Sequence, residues 1–241
     1  MKRKIVLWAV LVLVCTSVLA AQNDEKVFDS DAAVFYYWKD THLTVTDDNA
    51  LDYAKVYKND IYKKYSGDEF EWADKFADIK KDFQKRLDDT RLDDRFTVNT
   101  DIEFGDYDFD KLGYKISIGK GLYFPMNSAE NERNILGHLD SALGKDLTLS
   151  LTDFDTYNFL PMAKDEAKMF LQGRKNSSGK IDRDITILIH FTLIDVNSNE
   201  YKTAMKPSDP DIHLVGKIAS IEAYDTSDRK NIKKLGEVIQ K

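Results

Sequence analysis

The 241-residue chain holds a single cysteine, Cys15, inside an apolar run at its N-terminus. Disulfides, thiolate metal sites and a cysteine nucleophile are therefore excluded from everything after it. Proline is also scarce. Pro125, Pro161, Pro207 and Pro210 are the whole set, so nothing interrupts long helices in the first half. The four histidines, His42, His138, His190 and His213, include no pair at the four-residue spacing of a zinc-binding helix. Positive charge falls short as well, with 35 Lys and Arg against 42 Asp and Glu, a net charge of −7. Nucleic acid and anionic membrane surfaces call for the opposite sign. The unbroken apolar run Ile5 to Cys15 is eleven residues, short of the about 20 that a transmembrane helix needs.

That run has another use. Lys2, Arg3 and Lys4 precede it and Thr16-Ser17-Val18-Leu19-Ala20-Ala21 follow, which is the layout of a secretory signal peptide. Val18 and Ala20 fit cleavage after Ala20, and Ala21 allows it one residue later. Removing the segment takes away three cations and moves the net charge from −7 to −10. The expected mature chain has no membrane span and no cysteine. A disulfide-free exported protein of this length relies on a packed core, and the setting read from this is bacterial, periplasmic or secreted.

After residue 20 the periodicity predicts three regions. Residues 21–94 read as helical. Leu51, Ala54, Tyr57, Ile61 and Tyr65 form one helical stripe, with Asp47, Asp48 and Asn49 as N-cap candidates. Trp72, Phe76, Ile79, Phe83 and Leu87 form a second beside a Lys/Asp face. The Ser66-Gly67-Asp68 break makes the two an N-terminal helical hairpin, and Ser30 to Trp38 reads as a third helix or a strand. Residues 95–226 switch to alternation: Phe96 to Phe104, Tyr114 to Ile118 and Leu147 to Leu151 as half-buried strands, a more central strand over Ile185 to Val196, and a last one over Leu214 to Tyr224 with a bulge at Gly216. Gly105-Asp106 reads as a turn. Asn127-Ser128-Ala129-Glu130 opens one inserted helix and Pro161 a second, which ends at Gly173. Residues 227–241, with Ile232, Leu235 and Ile239, read as a tail or short helix. The expected fold is α+β: a helical hairpin followed by a mostly antiparallel, sandwich-like β region.

Few residues carry recognisable chemistry. Asp106, Asp108 and Asp110 begin as a calcium loop does, but Lys111 and Ser117 stand where its Gly and Glu belong. Asp209, Asp211 and His213 have ligand chemistry at alternate spacing, framed by Pro207 and Pro210. Both sets are weak metal candidates, and no cofactor is expected. There is no Gly-x-Ser-x-Gly elbow, and Gly119-Lys120-Gly121 is not a phosphate loop. Tyr53, Tyr57, Tyr62 and Tyr65 read as packing rather than as a ligand platform.

The order of elements from Tyr123-Phe124-Pro125-Met126 through Phe159-Leu160-Pro161-Met162-Ala163-Lys164-Asp165-Glu166-Ala167 to the two late strands resembles that of uncharacterised secreted bacterial proteins. The resemblance spans about half the chain and implies neither an activity nor a site residue. The functional expectation is an exported, non-catalytic binding or accessory protein. Its partner would be an envelope or extracellular protein or a small ligand, not nucleic acid. The competing expectation is a cell-envelope hydrolase with paired carboxylates.

Overall fold

The structure, a computed structural model, describes residues 25–116, 123–125, 147–196, 212–228 and 230–240. Three long strands form its spine: β2 (Arg95–Asp108), β7 (Asp184–Val196) and β8 (Ile212–Asp225). β7 lies between the other two and pairs antiparallel with both, from Arg95 opposite Thr192 to Glu103 opposite Asp184 on one edge. Its odd-numbered positions Ile185, Ile187, Ile189, Phe191 and Leu193 are buried, and the even positions from Thr186 to Thr192 are half-buried. This is the central strand expected from its two apolar faces.

At one end of the spine the sheet closes on itself. β3 (Gly113–Ile116) pairs with the far end of β2, β6 (Tyr157–Pro161) with β3, and β9 (Lys233–Gln240) with both β6 and β8. The ring β2-β3-β6-β9-β8-β7 is a six-stranded antiparallel barrel, and closure leaves these strands without a free edge. At the other end the edges are taken by short strands. β1 (Lys26–Val27) runs parallel to β2, and β5 (Leu147–Thr152) runs parallel to β8 with β4 (Tyr123–Pro125) beyond it.

The chain is thus α+β with a β-rich region, and the sandwich expectation is replaced by a barrel. Two glycines permit the close approaches. A Cβ on Gly113 would lie 2.4 Å from the Leu160 carbonyl oxygen, and one on Gly216 2.7 Å from the side chains of Leu151 and Phe191. Gly216 pairs with Leu193 where the β7–β8 register slips by one residue. Gly105-Asp106 does not turn the chain. It is a register shift inside β2 between Phe104 and Tyr107, the local kink of a β-bulge.

Among the described residues four helices precede β2: α1 (Ser30–Asp40), α2 (Asp47–Tyr57), α3 (Asn59–Tyr65) and α4 (Glu69–Asp89). The first helical stripe is divided between α2 and α3, broken at Lys58 (φ −130°, ψ 37°). The α2 cap is Thr46, which forms a capping box with Asn49, rather than Asp47, Asp48 or Asn49 itself. Asp68 caps α4 by accepting from the amides of Phe70 and Glu71. Ile79, Phe83 and Leu87 of the α4 stripe are buried, while Trp72 and Phe76 are half-buried. Phe83 stacks on Tyr53 at 4.5 Å and meets Trp38 edge-on at 5.3 Å. Phe28 joins this layer to the strands, edge-on to Phe96 at 5.2 Å and to Phe191 at 5.3 Å. One contiguous core results.

The second inserted helix, α5 (Lys164–Gly173), starts later than expected because Pro161 ends β6. The C-terminal segment is strand β9, not a tail or helix. The signal-peptide reading of residues 1–20 and the helix opening at Asn127 lie outside the described residues. Among the described residues no helix is long and apolar enough to cross a membrane.

Candidate functional site

Two concave surfaces lie at opposite ends of the spine. The first is a cleft of about 240 Å³ between α1, α4 and the start of β2. Ala32, Phe35 and Phe96 line it together with Lys26, Asp31, Arg86, Asp89, Thr90 and Asp94. Its charges are already engaged. Lys26 Nζ is 2.5 Å from Asp94, Lys85 pairs with Asp89, and Arg86 contacts Asp31 at 3.5 Å. The Arg86 guanidinium also lies 4.0 Å from the Phe35 ring centroid and 4.7 Å from that of Tyr57. Tyr57 donates a hydrogen bond to Asp31 at 3.1 Å. Burial foremost, then the Asp31 charge, pushes the Tyr57 hydroxyl above its ordinary range, so it stays a neutral donor.

The second is a groove of about 500 Å³ between α5 and the β2–β3 hairpin. Its walls are Tyr107, Phe109, Tyr114, Ala167 and Leu171, and its rim is Lys164, Asp165 and Lys168. The β2 bulge precedes Tyr107. The Tyr107 ring lies 5.0 Å from Phe109 and 5.2 Å from Tyr114, both edge-on. Both tyrosine hydroxyls are committed to backbone: Tyr107 donates to the Met162 carbonyl at 2.9 Å and Tyr114 to that of Ala167 at 3.2 Å. Burial, helped by the Tyr107 hydroxyl, pushes Tyr114 up to about 12.

The far end of α5 is held by Arg174, whose side chain is buried. It donates to Asp225 at 3.1 Å, to the Asp182 carbonyl at 3.1 Å and to the Asp184 carbonyl. The groove is therefore a fixed aromatic and aliphatic trough. Lys164 Nζ lies 5.8 Å from the Phe109 centroid. Neither Lys164 nor Lys168 has an ion-pair partner among the described residues.

Of the carboxylates and histidine singled out in the sequence, Asp106, Asp108, Asp110 and His213 do not line this groove. Asp106 faces Arg183 at 3.2 Å, and Asp108 accepts from the amides of Asp110 and Lys111 in the turn after β2. Asp110 follows in that turn, so the three carboxylates do different work. His213 is buried on β8 with Nδ1 2.9 Å from the Thr148 hydroxyl, while Asp209 and Asp211 lie outside the described residues. Among the described residues no three His, Cys, Asp or Glu side chains converge as metal ligands. Tyr53 is buried in packing and hydrogen-bonds Asp82 at 2.7 Å. Tyr107 and Phe109, the apolar positions between those aspartates, line the groove instead. Two lysines four residues apart beside the Ala167-Leu171 stripe were the available signal.

One charged cluster stands apart from both concavities. His190 Nδ1 is 2.5 Å from Glu25 and its Nε2 3.8 Å from Glu222. Glu222 also receives Lys234 and Tyr224, each at 2.5 Å. Burial opposes ionisation of Glu222, but the hydrogen bonds from Lys234 and Tyr224 prevail and hold it below the ordinary carboxylate range. The Glu222 hydrogen bond, with burial, pushes Tyr224 up to about 12.

The chain belongs to the family described as Domain of unknown function (DUF4852), whose model matches residues 46–173. Every residue lining the groove falls inside that segment, whereas β7, β8 and β9 lie beyond it. No curated protein and no solved structure matches the chain.

Proposed function

We propose that this is an exported, periplasmic or secreted, non-catalytic binding or accessory protein, and that the groove between α5 and the β2–β3 hairpin is where it takes its ligand. The observation that carries this is the groove itself: about 500 Å³, walled by aromatic and aliphatic side chains, with two cations on its rim that have no ion-pair partner among the described residues. Its size falls in the usual range of small-molecule sites, and its mix of apolar walls with few polar groups is theirs too. Phe109, 67% exposed at the mouth, is apolar surface left open to a ligand. The same composition argues against catalysis in the groove, since both tyrosine protons are donated to backbone and, among the described lining residues, Asp165 is the only carboxylate.

The paired-carboxylate alternative rests on Glu25 and Glu222 about His190. Glu222 is held ionised by Lys234 and Tyr224, which suits a charge anchor better than a general acid. None of the three lines the cleft or the groove.

A neutral apolar dye such as Nile red tests the reading. We expect saturable fluorescence enhancement with the folded protein that Phe109→Ala removes without lowering the melting temperature. Dye binding indifferent to that substitution would take the ligand site away from the groove. Export is tested separately by N-terminal sequencing of protein recovered outside the cytoplasm, with Ala21 or Gln22 as the expected first residue. Retention of residues 1–20 would refute it.

A further inference from the structure

We infer that the groove selects a single-chain amphiphile with an anionic headgroup, a monomeric alkyl carboxylate or its like, which it holds by the chain along the aromatic wall and by the head at Lys164 and Lys168. The inference rests on the groove being the ligand site. Three observations set the chemistry.

First, neither wall tyrosine has a hydroxyl proton left to donate to a ligand. Tyr107 and Tyr114 both donate to backbone carbonyls, at 2.9 and 3.2 Å, so their rings act as apolar surface. A ligand rich in hydroxyls would be desolvated there without compensation. Second, the charged groups on the rim are Lys164, Asp165 and Lys168, two cations against one anion. Lys164 and Lys168 are one turn apart on α5, on the same side, and neither is neutralised by a described carboxylate. The cleft at the other end shows the contrary arrangement, each acid beside its own cation, and an incoming anion there would have to displace Asp31 or Asp94. Third, the protein as a whole carries a net charge of −7, so a local cationic rim is set against the general charge and favours one small anion over an anionic bilayer. A lipid surface also demands a broad apolar or basic face, whereas this is a trough about the size of one chain.

The test is calorimetric titration of the purified protein with decanoate, decyl glucoside and decyltrimethylammonium, all below their micelle concentrations. Acetate serves as the headgroup alone and phosphatidylglycerol vesicles as the membrane source. We expect decanoate to bind one to one and about five- to tenfold more tightly than the glucoside, the scale of two exposed charge contacts. The alkylammonium should be weakest of the three, with no binding of acetate or vesicles. Lys164→Gln combined with Lys168→Gln should bring decanoate down to the glucoside's affinity. Phe109→Ala, at an exposed position where folding is not at risk, should weaken all three chains.

Equal or reversed headgroup preference, or a preference that survives loss of both lysines, overturns the anion assignment and leaves the groove as a general apolar site. Capture by vesicles with no binding of monomers overturns the commitment to a monomeric ligand. Chain binding that Phe109→Ala leaves untouched overturns this inference and the groove reading together. Failure of every chain to bind overturns the amphiphile alone, because the neutral-dye comparison of Phe109→Ala still decides the groove.

Discussion

The cleft beside α1 and α4 and the groove beside α5 use the same kinds of residue to opposite ends. In the cleft, Arg86 covers the rings of Phe35 and Tyr57, contacts Asp31, and sits near a Lys26–Asp94 pair. Charge there ties α4 to α1 and β1 to the segment that leads into β2. In the groove the Phe109 ring is exposed, Tyr107 is half-buried, and the two rim lysines have no ion-pair partner among the described residues. A concavity whose charges answer one another is a packing joint. One whose charges are left over is the better place to look for a ligand.

The comparison breaks first if either end can do without the barrel. The family-defining segment, residues 46–173, omits α1 and the strands β7, β8 and β9. A chain cut to that segment loses the β7 partner of β2, the β9 partner of β6 and the β8 partner of β5. Open edges and a halved core remain. We expect no cooperative melting transition by circular dichroism. A cooperative melt of residues 46–173 would show that the groove is an autonomous module and the barrel a later addition.

Next in size is the core behind the cleft. Phe83 is fully buried against Tyr53 and Trp38, and Phe83→Ala should cost about 3–5 kcal/mol, the usual range for a buried Phe. Phe76, on the same stripe but half-buried against Trp72, should cost about 1–2 kcal/mol, in proportion to the apolar area it hides. Urea denaturation of the two variants checks the ratio. Equal losses would mean that Trp72 and Phe76 are covered by something beyond the described residues.

How far these features were legible in the sequence follows from the range of the interactions involved. The α4 stripe and the central place of β7 show in apolar spacing over a few residues, and both were readable. The break at Lys58 was not, because no glycine or proline marks it. β6 was hidden: Tyr157–Pro161 lacks alternation and ends in a proline that reads as a helix start. The segment with Ile232, Leu235 and Ile239 reads as a tail or short helix where the chain forms β9, and the reason is physical. Ala223 pairs with Gly236 but Tyr224 with Lys234, so Leu235 is an extra residue in the ladder. That shift puts Leu235 and Val238, three apart, both on the buried side, which mimics helical spacing. Closure of the ring depends on strands that pair from as far apart as Arg95 with Thr192 and Tyr157 with Gln240, and alternation carries no information on that. The groove suffers likewise, because Tyr107 and Lys164 meet only through β3 and β6.

The charge cluster on β7 and β8 gives a pH test that leaves both concavities alone. Burial works against the Glu222 carboxylate, but Lys234 and Tyr224 hold its folded pKa below the ordinary 4.5. A depressed acid contributes stability that is fully present above its unfolded value and is lost as pH falls through the folded one. The urea midpoint should therefore decline below about pH 4.5, and more steeply than in Glu222→Gln. Parallel acid limbs in the two proteins would mean that the Lys234 and Tyr224 contacts contribute nothing net.

The smallest effect is the sharpest for the contrast between the two ends. Arg86→Gln removes a guanidinium that stacks on two rings and contacts Asp31, and should cost about 1–2 kcal/mol. Lys164→Gln with Lys168→Gln removes two cations that no described residue needs, and should leave stability within about 0.5 kcal/mol, as surface changes do. Measured side by side in urea at low and high salt, only the Arg86 loss should shrink as salt rises, since only that charge has a partner whose attraction salt can screen. A lysine pair that costs as much as Arg86 would show that its ammoniums hold the fold together, and the distinction between joint and ligand site would collapse. A silent lysine pair leaves both cations available to whatever enters the groove.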